Sequence, residues 1–315
     1  MAKSSSNIAD MFGATKAGTF LGLPAAKPGA GRPKAAILGV PCASPYWPPG
    51  VYCKDGPAAI RGGMAGYTSN IKHFDFDLGG TIFPGDKITA VDCGDVPYAP
   101  KKPAANRKKI RDAVCRILDS GAVPILLGGD DSIPIPMFQS YEGRGKFTIL
   151  QIDAHIDWRD EVRGERMGLS STMRRASEMG HIERIIQVGR RAIGSARPKD
   201  VADATKWGVK FVNAREVAEK GTGVVERLIP PRSNVILSFD LDGLDPTTMP
   251  AVIGPAPGGL SYWDAVRIMH AIGKRARLAG AAFVEFVPDR DVNGLGALTA
   301  ARLVVNALGI AARQR

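Results

Sequence analysis

Short apolar runs alternate with longer amphipathic stretches along most of the chain. The runs Ala35–Pro41, Ile88–Asp92, Val123–Leu127, Phe147–Asp153, Ile185–Val188, Val209–Asn213, Val235–Asp240 and Ala281–Phe286 predict strands. Between them, amphipathic patterns predict helices, most clearly over Asn106–Asp119, Tyr262–Arg277 and Ala297–Ala312. Many strand runs are continuously apolar, as expected where helices cover both faces of a sheet. Strand–helix alternation then predicts an α/β sandwich around a mainly parallel sheet. No linker-like segment interrupts residues 35–315 and no internal repeat is present, so one domain is expected there. Met1–Lys34 is rich in Ser, Ala, Gly and Lys, and reads as a flexible N-terminal arm free to pack on the body or on a neighbouring subunit.

Composition narrows the class. The chain has 315 residues, and its 42 Lys and Arg against 31 Asp and Glu leave a net charge of +11. With 44% hydrophobic and 23% charged residues it is neither disordered nor collagen-like. No run of about 18 apolar residues is present, so no membrane-spanning helix is expected. Cys42, Cys53, Cys93 and Cys115 form no CxxC pair and no zinc-ribbon spacing. They are expected as free thiols in a reducing compartment, and Met1–Lys34 lacks the apolar core of a secretory signal, so a cytoplasmic protein is expected. The basic residues gather in Lys101–Arg111 and Arg159–Arg175 without interleaved aromatic or groove-reading elements. They predict a solvated basic face, not a nucleic-acid interface.

The chemistry lies where strands end. Asp153, His155 and Asp157 stand at i, i+2 and i+4, one face of the chain if the extended conformation continues. Asp240 and Asp242 repeat the spacing, and a third strand runs into Gly128-Gly129-Asp130-Asp131-Ser132, where the glycines permit a sharp exit that turns Asp131 inward. Ligands of open α/β sheets sit at these carboxyl ends. Taken singly, each aspartate is as readily a turn or a cap, and His155 a satisfied core histidine. Crowded together they repel unless protonated or neutralised by cations, and hard oxygen donors with one imidazole suit divalent metals. His73, His181 and His270 have no such company. No GxGxxG, Walker A or Gly-x-Ser-x-Gly motif is present, so dinucleotide binding and serine-nucleophile chemistry are not expected.

From about Ala35 to the C-terminus the sequence resembles the ureohydrolases: arginases, agmatinases and related amidinohydrolases. The resemblance is carried by Gly56-Pro57-Ala58-Ala59-Ile60-Arg61, Asp92-Cys93-Gly94-Asp95, the Gly-Gly-Asp segment, Asp153–Asp157, Ser238–Pro246, Pro257-Gly258-Gly259 and Glu285 with Pro288. It implies a three-layer α/β/α fold with an eight-stranded parallel sheet, a homotrimer or hexamer, and a pair of divalent ions, manganese or in some relatives nickel. It also implies that Asp153 and Asp240 bridge both ions, that Asp157 binds the first, and that His155 and Asp242 bind the second. Glu285 would face a guanidino substrate, and attack of a metal-bridging hydroxide would release urea and an amine.

Three departures stand out. The family's Gly-Gly-Asp-His-Ser has Asp131 at the histidine, an anion for a neutral donor. Its His-Gly-Ser/Thr segment is here Met167–Thr172, which leaves Ser170 and Ser171 as candidates for binding substrate but no histidine to shuttle a proton. Pro250–Gly259 carries fewer hydroxyls than the family's Thr-Gly-Thr-Pro segment. Agmatine is the nearest default substrate, with guanidinobutyrate, guanidine and biguanides open. The alternative is a weakly active or non-catalytic subunit that pairs with a paralogue.

Overall fold

The protein is described from a computed structural model covering residues 18–64 and 70–314. Ten strands form among the described residues: β1 (Ala35–Val40), β2 (Phe74–Asp75), β3 (Gly80–Thr81), β4 (Ala90–Asp95), β5 (Val123–Gly128), β6 (Phe147–Ile152), β7 (Ile182–Arg190), β8 (Lys210–Asn213), β9 (Asn234–Asp240) and β10 (Arg277–Val284). β2 and β3 make an antiparallel hairpin that the hydrophobic pattern does not announce, each strand being two residues long. The other eight are the eight predicted strands. They form one sheet in the order β4-β1-β5-β10-β9-β6-β7-β8, every pairing parallel.

The nine helices among the described residues are α1 (Gly56–Gly62), α2 (Pro103–Asp119), α3 (Pro134–Gln139), α4 (Thr172–Ser177), α5 (Pro198–Trp207), α6 (Ala214–Lys220), α7 (Gly223–Glu226), α8 (Tyr262–Arg275) and α9 (Leu295–Arg313). α2 starts three residues ahead of the predicted Asn106, because Pro103 presets the first helical turn. α8 opens on a capping box between Ser261 and Asp264. It stops at Arg275 because Ala276 is extended (φ −142°, ψ −173°), and Arg277, predicted as helical, opens β10 instead.

Alternate strand residues feed two cores. Ile37, Ile125, Leu150, Leu237 and Phe283 point to one face and pack with residues of α1, α6, α7, α8 and α9. Leu38, Leu126, Ile149, Ile236 and Ala282 point to the other, against α2, α3, α4 and α5. The result is the expected three-layer α/β/α sandwich. α9, at 19 residues and mean hydropathy 1.6, is long and apolar enough to cross a membrane, contrary to expectation from the runs alone. Its most apolar window is 83% buried inside this protein, against β1, β5, β10, α1 and α8, so the apolarity is that of a core helix enclosed on most sides.

Residues 1–17 of the expected arm lie outside the described residues. Residues 18–34 run across the β4 edge, with Phe20, Leu21 and Leu23 buried. Asp92, itself 1% exposed, organises this docking: its carboxylate accepts from the Phe20 N–H (2.8 Å) and from Arg61 Nε (2.8 Å), and its N–H donates to Pro24 O. Arg61 also reaches Asp95 at 2.5 Å, which ties two of the recognised motifs together structurally. Asp92→Ala leaves Arg61 buried without its main partner, so it is expected to cost roughly 3–5 kcal/mol. Urea denaturation measures that loss, and limited proteolysis should cut earliest before residue 34.

Candidate metal centre

Four adjacent strands, β5, β10, β9 and β6, end level with one another: Phe283 pairs with Leu127, Val284 with Asp240 and Phe239 with Ile152. Because all run parallel, the segments that follow them converge on one edge of the sheet. Asp131 follows β5, Glu285 follows β10, Asp240 and Asp242 come from the end of β9, and Asp153, His155 and Asp157 follow β6. All except His155 are buried. The glycines of the Gly-Gly-Asp segment serve closeness more than turning. A Cβ on Gly129 would lie 1.9 Å from Pro41 O, and one on Gly128 would lie 2.6 Å from the Val284 side chain.

Two sets of donor atoms gather within 4.8 Å of one another: Asp153 with His155 and Asp242, and Asp131 with Asp153 and Asp157. Asp153 belongs to both. His155 Nδ1 lies 3.0 Å from Asp242 Oδ2 and 3.4 Å from Asp153 Oδ1. Asp240 belongs to neither set among the described residues; one of its oxygens accepts from the Asp242 N–H (2.8 Å) and caps the turn Leu241–Gly243.

The convergence of Asp153 and Asp157 does not come from a continued strand. β6 ends at Ile152, and Asp157 has a left-handed backbone with φ +42°. Gln151 brings the two together: its Nε2 donates to Asp153 Oδ2 (2.7 Å) and Asp157 Oδ2 (2.6 Å). Gln187, paired with Gln151 in the β6–β7 register, donates to Gln151 Oε1 and to Ile156 O, which fixes the direction of the Gln151 amide. Sequence reasoning missed this pair. The available signal was a lone glutamine in equivalent places of two apolar strands, Ile149-Leu150-Gln151-Ile152 and Ile185-Ile186-Gln187-Val188. Missed too was Arg191, whose guanidinium donates to the carbonyls of Gly189, Asp242, Gly243, Leu244 and Ala256 and so pins the β9 exit loop.

Burial sets the electrostatics. Asp131, Asp157 and Asp240 have carboxyls well above the ordinary range, first through desolvation and then through the charges of their neighbours. Asp242 is raised for the same reasons. Asp153 is held below the ordinary range against its own burial, by hydrogen bonding with His155 and Asp157. His155, bonded to Asp153 and Asp242, is pushed up to about 12. Among the described residues, both carboxylate oxygens of Asp131 are buried without any hydrogen-bond partner. Such an atom pair is costly unless something positive meets it, and the surrounding oxygen donors and single imidazole fit divalent cations.

Glu285 also has a left-handed backbone (φ +68°) and is buried. It accepts from the Asp131 N–H (2.8 Å) and from the Tyr52 hydroxyl at 2.9 and 2.8 Å to its two oxygens, while burial and the charge of Asp130 push its carboxyl up to about 8. Tyr52, from the loop after β1, carries no sequence signal that links it to Glu285. Tyr52→Phe removes a donor to the carboxylate, so the Glu285 carboxyl is expected to rise further. Carbon-13 NMR titration of that carboxyl checks the direction.

Ser171 is buried with its hydroxyl unpartnered among the described residues, and Ser170 is half-buried. Thr172, next along, donates to Asp131 O and ties this segment to the centre. Trp158 is buried and packs edge-on against Trp207. His181 and His270 bond Phe138 O and Asn306, in keeping with structural roles.

A profile of the Arginase family matches residues 33–309. N(1)-aminopropylagmatine ureohydrolase of Thermus thermophilus is 33% identical over 216 residues, 68% of this chain and 71% of its own length. Agmatinase of Pyrococcus horikoshii is 29% identical over 284 residues, 88% and 92% of the two chains. The solved proclavaminate amidino hydrolase from Streptomyces clavuligerus superposes with a TM-score of 0.84 at 24% identity, covering 96% of this chain and 99% of that one, and so shares the fold. By the extent of the profile and of these relatives, the chain belongs to the arginase family, hydrolases that act on the C–N bonds of linear amidines.

Proposed function

We propose that this protein is a binuclear-metal amidinohydrolase that cleaves a small guanidino compound to urea and an amine. One observation carries the reading: two donor sets share Asp153, and beside it Asp131 presents two buried, unpartnered oxygens. Asp131, Asp153 and Asp157 would hold one ion, and Asp153, His155 and Asp242 the other, with Asp240 adjoining both. Manganese is the first choice and nickel the second, because Asp131 makes the site richer in oxygen than a histidine would. Ions bound there would supply Lewis-acid activation of water and offset the charge that develops on the substrate.

The remaining roles fall to the chain. Glu285, aligned by Tyr52 and the Asp131 N–H, faces the planar guanidinium and orients its carbon. Asp157, beside Asp131 and Asp153, is the carboxylate placed to accept a proton from the attacking water and pass it to the departing amine. Ser170 and Ser171 border the substrate. Water adds to the guanidinium carbon, the bond to the substituted nitrogen breaks, and that nitrogen leaves protonated. The names of the relatives, agmatinase and an aminopropylagmatine ureohydrolase, support a guanidino substrate. Family resemblance supports a cytoplasmic homotrimer or hexamer whose catalytic domain spans 35–315 behind the 1–34 arm.

The test is metal content of protein purified without chelator, followed by urea release from agmatine, guanidinobutyrate, guanidine and biguanides after manganese or nickel loading. Two ions per chain and urea from one of these compounds are expected. Failure to bind metal under any loading, with activity only on adding a paralogous chain, would replace this reading with that of a non-catalytic subunit.

A further inference from the structure

Two cavities lie among the loops that follow the carboxyl edge of the sheet, the second of them beside His155, and both are lined by basic groups. The first, about 540 Å³, lies between the loops after β1, β4 and β6, with Tyr46, Trp47 and Tyr98 as aromatic walls and Lys101, Lys102 and Arg163 as cations. Its β6 loop is anchored to the centre at both ends: the Arg159 N–H donates to Ser170 O (2.9 Å) and the Met173 N–H to Asp157 O (3.1 Å). Tyr46 belongs to both regions. Its ring lines the cavity and packs on Gly168, where a Cβ would come within 2.0 Å, and its hydroxyl is buried beside Ser170 and Ser171, on the segment that runs back to Asp157.

We propose that this cavity receives the tail of the guanidino substrate, and that its charge selects a carboxylate-ended tail over an ammonium-ended one. The inference rests on the amidinohydrolase reading above. Among the described residues, Lys101, Lys102 and Arg163 have no ion-pair partner. Glu165 is the single acid in the lining, and its Oε1 already accepts from the Met167 N–H at 2.7 Å. The 17-residue helix α2 begins at the cavity wall with Pro103 and adds the positive end of its dipole. The second cavity, about 510 Å³ beside His155, is lined by Arg190 and Arg191 and by no acid. An ammonium at the far end of a substrate therefore meets three cations against the single carboxylate of Glu165 in the first opening and no acid in the second, whereas a carboxylate meets an excess of positive charge at both. The aromatic walls suit a short methylene spacer between the two ends.

The experiment compares kcat/KM for 4-guanidinobutanoate and agmatine on the metal-loaded protein, and on a Lys101→Glu/Arg163→Glu variant shown to carry the same metal content. The wild type is expected to favour the acid by about tenfold or more, and the variant to shift the ratio toward agmatine by about a hundredfold, on the scale of two charges reversed near a surface. Raising the salt concentration should compress the wild-type ratio. A wild-type preference for agmatine, or a ratio that the variant leaves unmoved, overturns the inference and leaves the amidinohydrolase reading standing. Urea from neither of these two compounds, nor from guanidine or biguanides, with two ions bound, overturns both.

Discussion

Asp153→Ala is expected to leave the protein unable to retain either ion and to lower urea release by about a thousandfold or more. Among the described residues Asp153 is the one common to both donor sets, so its truncation removes a donor from each. The change reaches further than the carboxylate. One oxygen of Asp153 accepts from the His155 N–H and the other from Gln151, so the variant also frees the backbone of His155 and half of the Gln151 amide. Asp242→Ala and Asp131→Ala each strip one set only and should leave close to one ion per chain. Elemental analysis of the three variants, with urea assays, separates these outcomes. Two ions retained by the Asp153 variant would sink the shared-ligand assignment.

Removing metal should produce the largest change in stability, with a definite dependence on pH. Asp131, Asp157, Asp240, Asp242 and Glu285 all have carboxyls above their ordinary range in the folded, metal-free chain. A carboxyl raised on folding binds more protons in the folded state, so stability falls as pH rises between the unfolded and folded values. The window opens near the ordinary carboxyl value of about 4 and, for Glu285, closes at about 8. His155 acts in the same direction. Its imidazolium stabilises fully below the ordinary value of about 6.5, and that contribution is lost as pH rises toward about 12. The metal-free protein is therefore expected to melt at falling temperature from pH 5 to 8.

Ions displace those protons and reverse the trend, so metal affinity should increase with pH and loading should release protons. At free-ion concentrations a thousand times Kd, two sites add on the order of 8 kcal/mol. For a chain of this length that is roughly 15 °C in Tm. Calorimetric melting of loaded and chelated protein at pH 5 and pH 8 measures the gap, which should be wider at pH 8. An equal gap at both would mean that the acidic cluster is not what the ions neutralise.

The strands were legible because both faces of the sheet are covered: continuous apolar runs such as Val123–Leu127 leave little alternative in a chain with so many helical stretches between them. The carboxylates were legible because they sit where those runs stop. Their convergence was not. It depends on left-handed backbones at Asp157 and Glu285, which aspartate and glutamate do not advertise, and on Gln151, which resembles a stray polar residue until its register partner Gln187 is known. Tyr52 reaches Glu285 across 233 positions of sequence, beyond any local pattern. Asp240 caps the turn Leu241–Gly243 with one oxygen, a local bond that its spacing to Asp242 does not announce.

The order of strands in the sheet also bears on how the protein is made. β10 is the last of the eight to be synthesised, yet it lies at the centre, between β5 and β9. Before it emerges from the ribosome, the chain can pair β4, β1 and β5 in one half-sheet and β9, β6, β7 and β8 in another, with no hydrogen-bonded ladder joining them. Asp153, His155 and Asp242 all belong to the second half and can come together early. Asp131 belongs to the first, and it meets Asp153 and Asp157 only when β10 closes the seam and brings Glu285 with it. The donor set of Asp153, His155 and Asp242 therefore lies within one half-sheet, while that of Asp131, Asp153 and Asp157 spans the seam that β10 closes.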